Sequence, residues 1–182
     1  MLVAMAGLPG TGKTAIAEAI GARLLKPVVS VDPIESAILR AGIDADQPTG
    51  LAAYLVAEAL AETVLRAGHG AIIDAVNAVD PAREQWVNLA ARAGEPLRFL
   101  EVVCSDLGVH RNRLEARERD LPHVTSPTWH AVEQSLDEYA EWSGSSGDVE
   151  RLTLDSVEPL ETLVQRALAF LARPVDSPPT AP

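Results

Sequence analysis

Three glycines, a lysine and two threonines near the start of this 182-residue chain are spaced to capture a polyphosphate. They form the run Gly7-Leu8-Pro9-Gly10-Thr11-Gly12-Lys13-Thr14, which fits the pattern G-x-x-x-x-G-K-[ST]. Glycine at 7, 10 and 12 lets the backbone curl and approach a ligand that a Cβ would obstruct. The amides of Gly10, Thr11, Gly12, Lys13 and Thr14 then turn inward, and the positive end of a following helix adds to their pull on an anion. Lys13 is placed to reach the β- and γ-phosphates, and the Thr14 hydroxyl to bind Mg²⁺. This set points to ATP with Mg²⁺, and the pattern admits GTP as well.

Two aspartates follow apolar runs and could act beside that loop. Asp74 ends Ala71-Ile72-Ile73-Asp74 and has the form of a magnesium-holding carboxylate. Asp32 follows Val28, Val29 and Val31 and suits the acceptor side, where it could take a proton from an attacking hydroxyl. A helix cap or turn residue is the alternative for both. Asn77 is a further candidate, with an ordinary loop amide as its alternative. Arg113 and Arg117 are four apart and share a helix face. Their guanidinium groups could stack on a base or clamp phosphates. Because Glu115 and Glu118 are interspersed, a solvated face laced with ion pairs is equally open. No pair of the four histidines has metal-ligand spacing, so no zinc site is expected.

The elements that must position these residues follow from hydrophobic pattern and punctuation. Leu2 to Ala6 reads as a buried strand and Ala15 to Leu25 as a helix. Val28 to Asp32 reads as a second strand, Ile34 to Ala41 as a short amphipathic helix, and 51–67 as a long one, apolar on most of its circumference, with Glu58, Glu62 and Arg66 marking the wet face. Ala71 to Asp74 is a third strand, and Pro81 starts a helix that Gly94 stops. Leu97 to Cys104 is a fourth strand, and Ser105-Asp106 can cap the helix that carries His110, Arg113 and Arg117. A helix from Ser126 to about Trp142, a flexible 144–147 link, a strand from Arg151 to Leu154 and a helix from Val157 to Leu171 complete the chain. Strands alternating with helices give an α/β fold with a parallel sheet covered on both faces. Ligands then gather beyond the carboxyl ends of the strands, where the loop and both aspartates fall.

Composition narrows the partners. A net charge of −11 disfavours sequence-independent binding to nucleic acid, which draws most of its affinity from neutralising phosphates. A small-molecule ligand fits better. No apolar run reaches the length of a membrane span. The single cysteine, Cys104, is expected to be a buried, inert thiol, and the sequence as a whole is expected to be cytoplasmic. Residues 173–182 read as a disordered proline-rich tail.

The phosphate loop, the aspartate after the second strand, the run from Ile72 to Asn77 and the Arg113-x-x-x-Arg117 helix resemble, in this order, the small P-loop kinases. That group holds gluconate and shikimate kinases, chloramphenicol phosphotransferase, the zeta-toxin-like kinases and AAA-domain-like kinases. The resemblance covers roughly residues 1–172. It implies a P-loop NTPase three-layer sandwich with a five-stranded parallel sheet ordered 2-3-1-4-5. It also implies a short helical lid, about 115–126, that brings arginines over ATP. Carried onto this chain, Arg113 would contact adenine or phosphate and Arg117 the transferring phosphate. Asp32 would be the acceptor-side base, and Asp74 would serve the magnesium. The implied activity is ATP-dependent transfer of the γ-phosphate to a hydroxyl of a small molecule, by a monomer or homodimer. The acceptor would lie against 33–60 and the start of the helix opened by Ser126. A nucleotide-binding switch and a kinase of nucleic-acid ends are the rivals. The chain lacks a guanine-reading Asn-Lys-x-Asp run, which weighs against the first, and its charge weighs against the second.

Overall fold

The computed structural model describes residues 1–116, 127–137 and 139–174. Arg117, Arg119, most of the expected lid and the end of the tail lie outside the described residues. Strand β1 (Leu2–Ala6) is apolar throughout and buried at every position, as a central strand covered on both faces must be. β3 (Ala71–Asp74) and β4 (Leu97–Val103) flank it in parallel. β2 (Val28–Ser30) lies beyond β3, and β5 (Arg151–Asp155) beyond β4. The order β2-β3-β1-β4-β5 is the one the resemblance implies.

Alternation along the strands divides the core in two. Leu2, Ala4, Ile73 and Phe99 face one layer, formed by α3 (Thr49–Arg66) and α4 (Asp80–Ala93). Val3, Met5, Ile72 and Leu100 face the other, formed by α1 (Lys13–Leu24) and α8 (Leu160–Leu171). α3 meets the sheet through Ala53, Ala57 and Ala61, whose four-residue spacing puts small side chains on one face and admits a close approach. α4 fills the remaining depth with Trp86 and Leu89, both fully buried.

Four details differ from the sequence reading. The strand expected to reach Asp32 stops at Ser30, and α2 (Val31–Arg40) begins one residue before Asp32. Asp32 therefore occupies the first helical turn instead of a strand end. Pro33 is tolerated there because a first-turn amide has no intrahelical acceptor to lose. In α3, Leu51, Leu55, Val56 and Leu60 are exposed, as a helix apolar on most of its circumference requires, but Glu58 leaves the expected wet face. It is drawn inward, accepting from Gln85 at 2.8 Å and Arg92 at 2.5 Å. α6 spans Trp129–Asp137 and does not run on to Trp142. Finally, the 144–147 segment is a short helix, α7 (Gly144–Gly147), held by the Ser146 amide donating to Glu84 at 2.8 Å. The Asp106 cap is present: its carboxylate accepts from the Val109 amide at 2.9 Å at the start of α5 (Leu107–Glu115).

Arg98, in the middle of β4's apolar run, is fully buried. Its Nη1 donates to the carbonyls of Phe170, Leu171 and Arg173 at 2.9, 3.0 and 2.8 Å, and its Nη2 to that of Pro174 at 3.0 Å. Its Nε donates to Glu150 at 2.8 Å. One guanidinium thus satisfies the carbonyls that the last turn of α8 leaves without partners, where a cation also meets the negative end of the helix. Arg98→Ala should cost about 3 kcal/mol or more, since it strands several buried acceptors together. Urea denaturation checks this, and a loss below about 1 kcal/mol would mean water replaces the guanidinium.

Candidate active site

The phosphate loop leaves the carboxyl end of β1 between β3 and β4. Gly7 donates its amide to the Val76 carbonyl at 2.9 Å, and at φ 136° its backbone is in a region that favours glycine. A β-carbon there would lie 2.2 Å from the Val102 carbonyl oxygen, so only glycine fits. The Leu8 carbonyl then gathers the loop around itself. It accepts from Thr11 Oγ1 at 2.8 Å, from the Thr11 amide at 3.3 Å and from Lys13 Nζ at 3.0 Å. Gly10 and Gly12 also have positive φ, 86° and 93°, and Gly12 leads directly into α1.

Thr14, in the first turn of α1, donates its hydroxyl to Asp74 Oδ2 at 2.8 Å. Ser30, the last residue of β2, donates to the same oxygen at 3.1 Å. Asp74 is thus held at the end of β3 by residues from both neighbouring elements, and it is 7% exposed. Asp32 joins them from α2. A small cavity of about 20 Å³ is lined by Lys13, Thr14, Asp32, Asp74 and the backbone turn at Pro9 and at Ala75-Val76. Tyr54 of α3 closes this side, its hydroxyl accepting from the Asn77 amide at 3.2 Å. Burial first, with the carboxylates of Asp32 and Asp74 adding to it, pushes the Tyr54 phenol up, so it stays protonated.

On the other side of Lys13 the space opens. A cleft of about 230 Å³ is lined by Gly10, Gly12, Lys13, Thr14, Ala15 and Arg113. A second, of about 290 Å³, continues past Arg113 to Ser156, Leu160 and Leu163. Arg113 stands between the two, with Nη1 on Ser156 Oγ and Nη2 on the Ser156 carbonyl, both at 2.9 Å. The order along the rim is therefore carboxylates, phosphate loop, arginine, then an apolar recess against α8. That order of polarity suits an anionic ligand with an apolar end.

Asn77 belongs to the framework and not to the chemistry. It is fully buried with φ 47°, donates to the Met5 carbonyl at 2.6 Å and accepts from Trp86 Nε1 at 2.9 Å. Gly10, Thr11, Gly12, Lys13, Thr14, Asp32, Asp74 and Arg113 all lie on one rim, at or beside the phosphate loop. Arg117 lies outside the described residues.

The family model described as AAA domain (AAA_33) matches residues 2–141. The chain belongs to this AAA domain family. Solved structures agree on the fold. A sugar kinase from Janibacter sp. HTCC2649 is 21% identical, with 93% of each chain covered and a TM-score of 0.69. A gluconokinase from Sinorhizobium meliloti 1021 is 20% identical over 93% of this chain and 90% of its own, with a TM-score of 0.64. The Mycobacterium tuberculosis APS kinase CysC, solved with AMPPNP and APS, is 18% identical over 94% and 97%, also at 0.64. The fold is that of the small P-loop kinases. A comparison with curated proteins gives no match.

In this AAA domain a second buried arginine, which the sequence did not announce, sets the loop behind the site. Arg83 is fully buried and donates to the carbonyls of Asn77, Ala78, Ala140 and Glu141 at 2.9, 3.0, 2.9 and 3.2 Å. Its guanidinium lies 4.1 Å from the Trp142 ring centroid and 5.1 Å from that of Tyr139. It fastens the turn after Asp74 to the chain that returns from α6. The one hint in the sequence was its place one turn into a helix opened by Asp80-Pro81. The close contact at Gly7 gives the test of the loop's geometry. Gly7→Ala should lose at least about 1–2 kcal/mol more stability than Gly68→Ala. Gly68 also has positive φ, but no atom lies within 4 Å of its would-be β-carbon. Equal losses in urea titrations would show that backbone strain alone, and not the Val102 contact, fixes glycine at position 7.

Proposed function

We propose that this AAA domain is a phosphotransferase that moves the γ-phosphate of ATP to a hydroxyl of a small molecule. The observation that carries this reading is the grouping of Lys13, Thr14, Asp74 and Asp32 around one small cavity, with Lys13 and Thr14 also lining the cleft that leads to Arg113. The donor set suits Mg²⁺, because a threonine hydroxyl backed by a carboxylate is hard oxygen chemistry. Thr14 would hold the ion with Asp74 behind it, and the ion would neutralise charge on the β- and γ-oxygens.

The chain's own residues do the rest. The amides from Gly10 to Thr14 and the start of α1 hold the phosphates, and Lys13 turns from the Leu8 carbonyl towards the terminal ones. Arg113, anchored on Ser156, flanks the nucleoside and the inner phosphates. Asp32 orients the acceptor hydroxyl and takes its proton as the new O–P bond forms. The bond from the γ-phosphorus to the β,γ-bridging oxygen breaks, and that oxygen leaves on ADP. Arg117 is assigned, by resemblance, to neutralise charge on the transferring group. The sugar kinase and the gluconokinase that share the fold act, by their names, on hydroxylated compounds, which supports an alcohol acceptor here.

A transfer assay with Mg·ATP against a panel of sugars, polyols, nucleosides and antibiotics tests the reading. Lys13→Ala should abolish transfer. Asp32→Asn should lower kcat by about 10²–10⁴-fold, the usual span for a lost general base, while the affinity for AMPPNP stays nearly intact. Equal loss of turnover and nucleotide affinity in Asp32→Asn would make Asp32 a structural residue and remove the acceptor-side base from the scheme.

A further inference from the structure

Against the phosphate loop, touching its Gly7, Leu8 and Thr11, lies a further cavity of about 210 Å³. It shares none of its described lining residues with the clefts around Lys13, Asp32 and Arg113. Leu8, Val102 and Leu136 give it apolar walls, and its polar edge is made by Glu101, His110 and Tyr139. Two buried polar atoms on these residues have no hydrogen-bond partner: His110 Nδ1 and the Tyr139 hydroxyl.

Their chemistry can be read from their neighbours. His110 is 1% exposed, and its Nε2 lies 2.8 Å from the Pro9 carbonyl of the phosphate loop. A carbonyl only accepts, so Nε2 carries a hydrogen and Nδ1 is the ring nitrogen left without a partner, an acceptor wherever Nε2 holds the ring's single proton. The Tyr139 hydroxyl lies close to the Glu101 carboxylate without meeting it in hydrogen-bond geometry, so it presents a donor in need of an acceptor. Burial first, then the Glu101 carboxylate, pushes its phenol up to about 12, so the proton stays on. Glu101 itself is already engaged by Trp142 Nε1 at 2.9 Å, Thr153 Oγ1 at 2.8 Å and Arg151 at 3.4 Å.

From this we infer a second ligand site, built for a small, neutral, largely apolar alcohol or phenol and coupled to the nucleotide cleft through the phosphate loop. A hydroxyl is the group that can donate to His110 Nδ1 or accept from Tyr139. An anion would face Glu101 with no lysine or arginine among the described lining residues. A cation would be stripped of water against mostly apolar walls and find its counter-charge already paired. Size is no obstacle, since an apolar cavity of about 150 Å³ suffices for benzene. Coupling follows from placement. His110 bonds the loop's own backbone at Pro9, and a β-carbon on Gly10 would lie 3.2 Å from its ring. Leu136 and Tyr139 belong to the chain that Arg83 fastens behind Asp74. A molecule seated here therefore touches both supports of the phosphate loop.

The inference goes beyond the proposed transfer reaction and is tested without turnover, so a failed transfer assay leaves it standing. Calorimetry on the whole chain would compare phenol, benzene and benzoate, each without nucleotide. Phenol should bind saturably and about fivefold or more tighter than benzene, the worth of one hydrogen bond, and benzoate should not bind. That advantage should vanish in Tyr139→Phe or in His110→Phe, both of which keep a ring in place. Tyr139→Phe removes a single oxygen and serves if His110→Phe fails to fold. With rising phenol, the AMPPNP dissociation constant should shift by about fivefold and then level off, as coupling between two distinct sites requires. The inference is overturned if phenol does not saturate, in which case the space holds water alone. It is overturned equally if phenol binds no better than benzene, or if its advantage survives in every variant that folds. A nucleotide shift that is absent, or that grows without limit as direct competition would make it, also sinks it.

Discussion

The hydrogen bond from Thr14 to Asp74 is the contact on which the site depends. It joins residues sixty positions apart and exists because β3 lies directly beside β1. In that register Ala4 pairs with Ile73, so the phosphate loop leaves β1 level with the end of β3. Ser30 completes the arrangement from β2, which pairs with Asp74 on the far side. Two parallel strands thus end at this carboxylate, and the loop from a third delivers Thr14 to it. A sheet with β1 at its edge could not provide this, because its loop would have support on one side only.

What keeps that junction in place is polar and lies behind it. Arg83 gathers four carbonyls from two distant segments, and Asn77 locks the same turn to the Met5 carbonyl and to Trp86. Such groups are costly to bury, and the cost is offset only if every donor finds an acceptor. The complete satisfaction of the Arg83 guanidinium therefore fixes the path of the chain after Asp74 more narrowly than apolar packing could. Apolar contacts tolerate small slips, whereas a fork of donors matched to four carbonyls does not. The two flanking rings, Tyr139 and Trp142, shield those bonds from water.

The phosphate loop was legible in the sequence because each of its residues answers a local need: glycine for curl, lysine for charge, threonine for a hydroxyl on the first turn. The sheet order was legible only through resemblance, since alternation of strands and helices gives a parallel sheet but not its sequence of neighbours. Asp32 was misplaced by a small margin. Val31 is β-branched and reads as strand, yet Asp-Pro at the next two positions favours a helix start, and the helix takes Val31 as its first residue. Arg83, Arg98 and Asn77 were not legible in their present roles. An arginine in an apolar strand or an asparagine in a loop shows its purpose only when the carbonyls it serves are known, and those come from up to 76 residues away. Within α3, apolar on most of its circumference as its sequence reads, Glu58 was misplaced for a related reason. Glu58 looked like a solvent-facing residue until Arg92 and Gln85 turned it inward.

The chain's charge raises a last physical question, since a protein at −11 that takes a nucleotide must attract a ligand of its own sign. Screening resolves it. At physiological ionic strength the field of exposed carboxylates fades over about 8 Å, so acids on the outer faces of the helices contribute little inside the cleft. Within the cleft the nearest groups decide, and these are the loop amides, the start of α1, Lys13 and Arg113. Backbone amides supply partial positive charge at fixed positions without adding to the count of basic residues. A compact polyphosphate can use them because it fits inside the loop. An extended nucleic-acid backbone would have to lie along the surface, where exposed acids such as Asp44 and Asp46, between α2 and α3, oppose it. The same net charge that would weaken binding of a polymer is therefore compatible with tight capture of a small nucleotide, provided the phosphate loop keeps its shape.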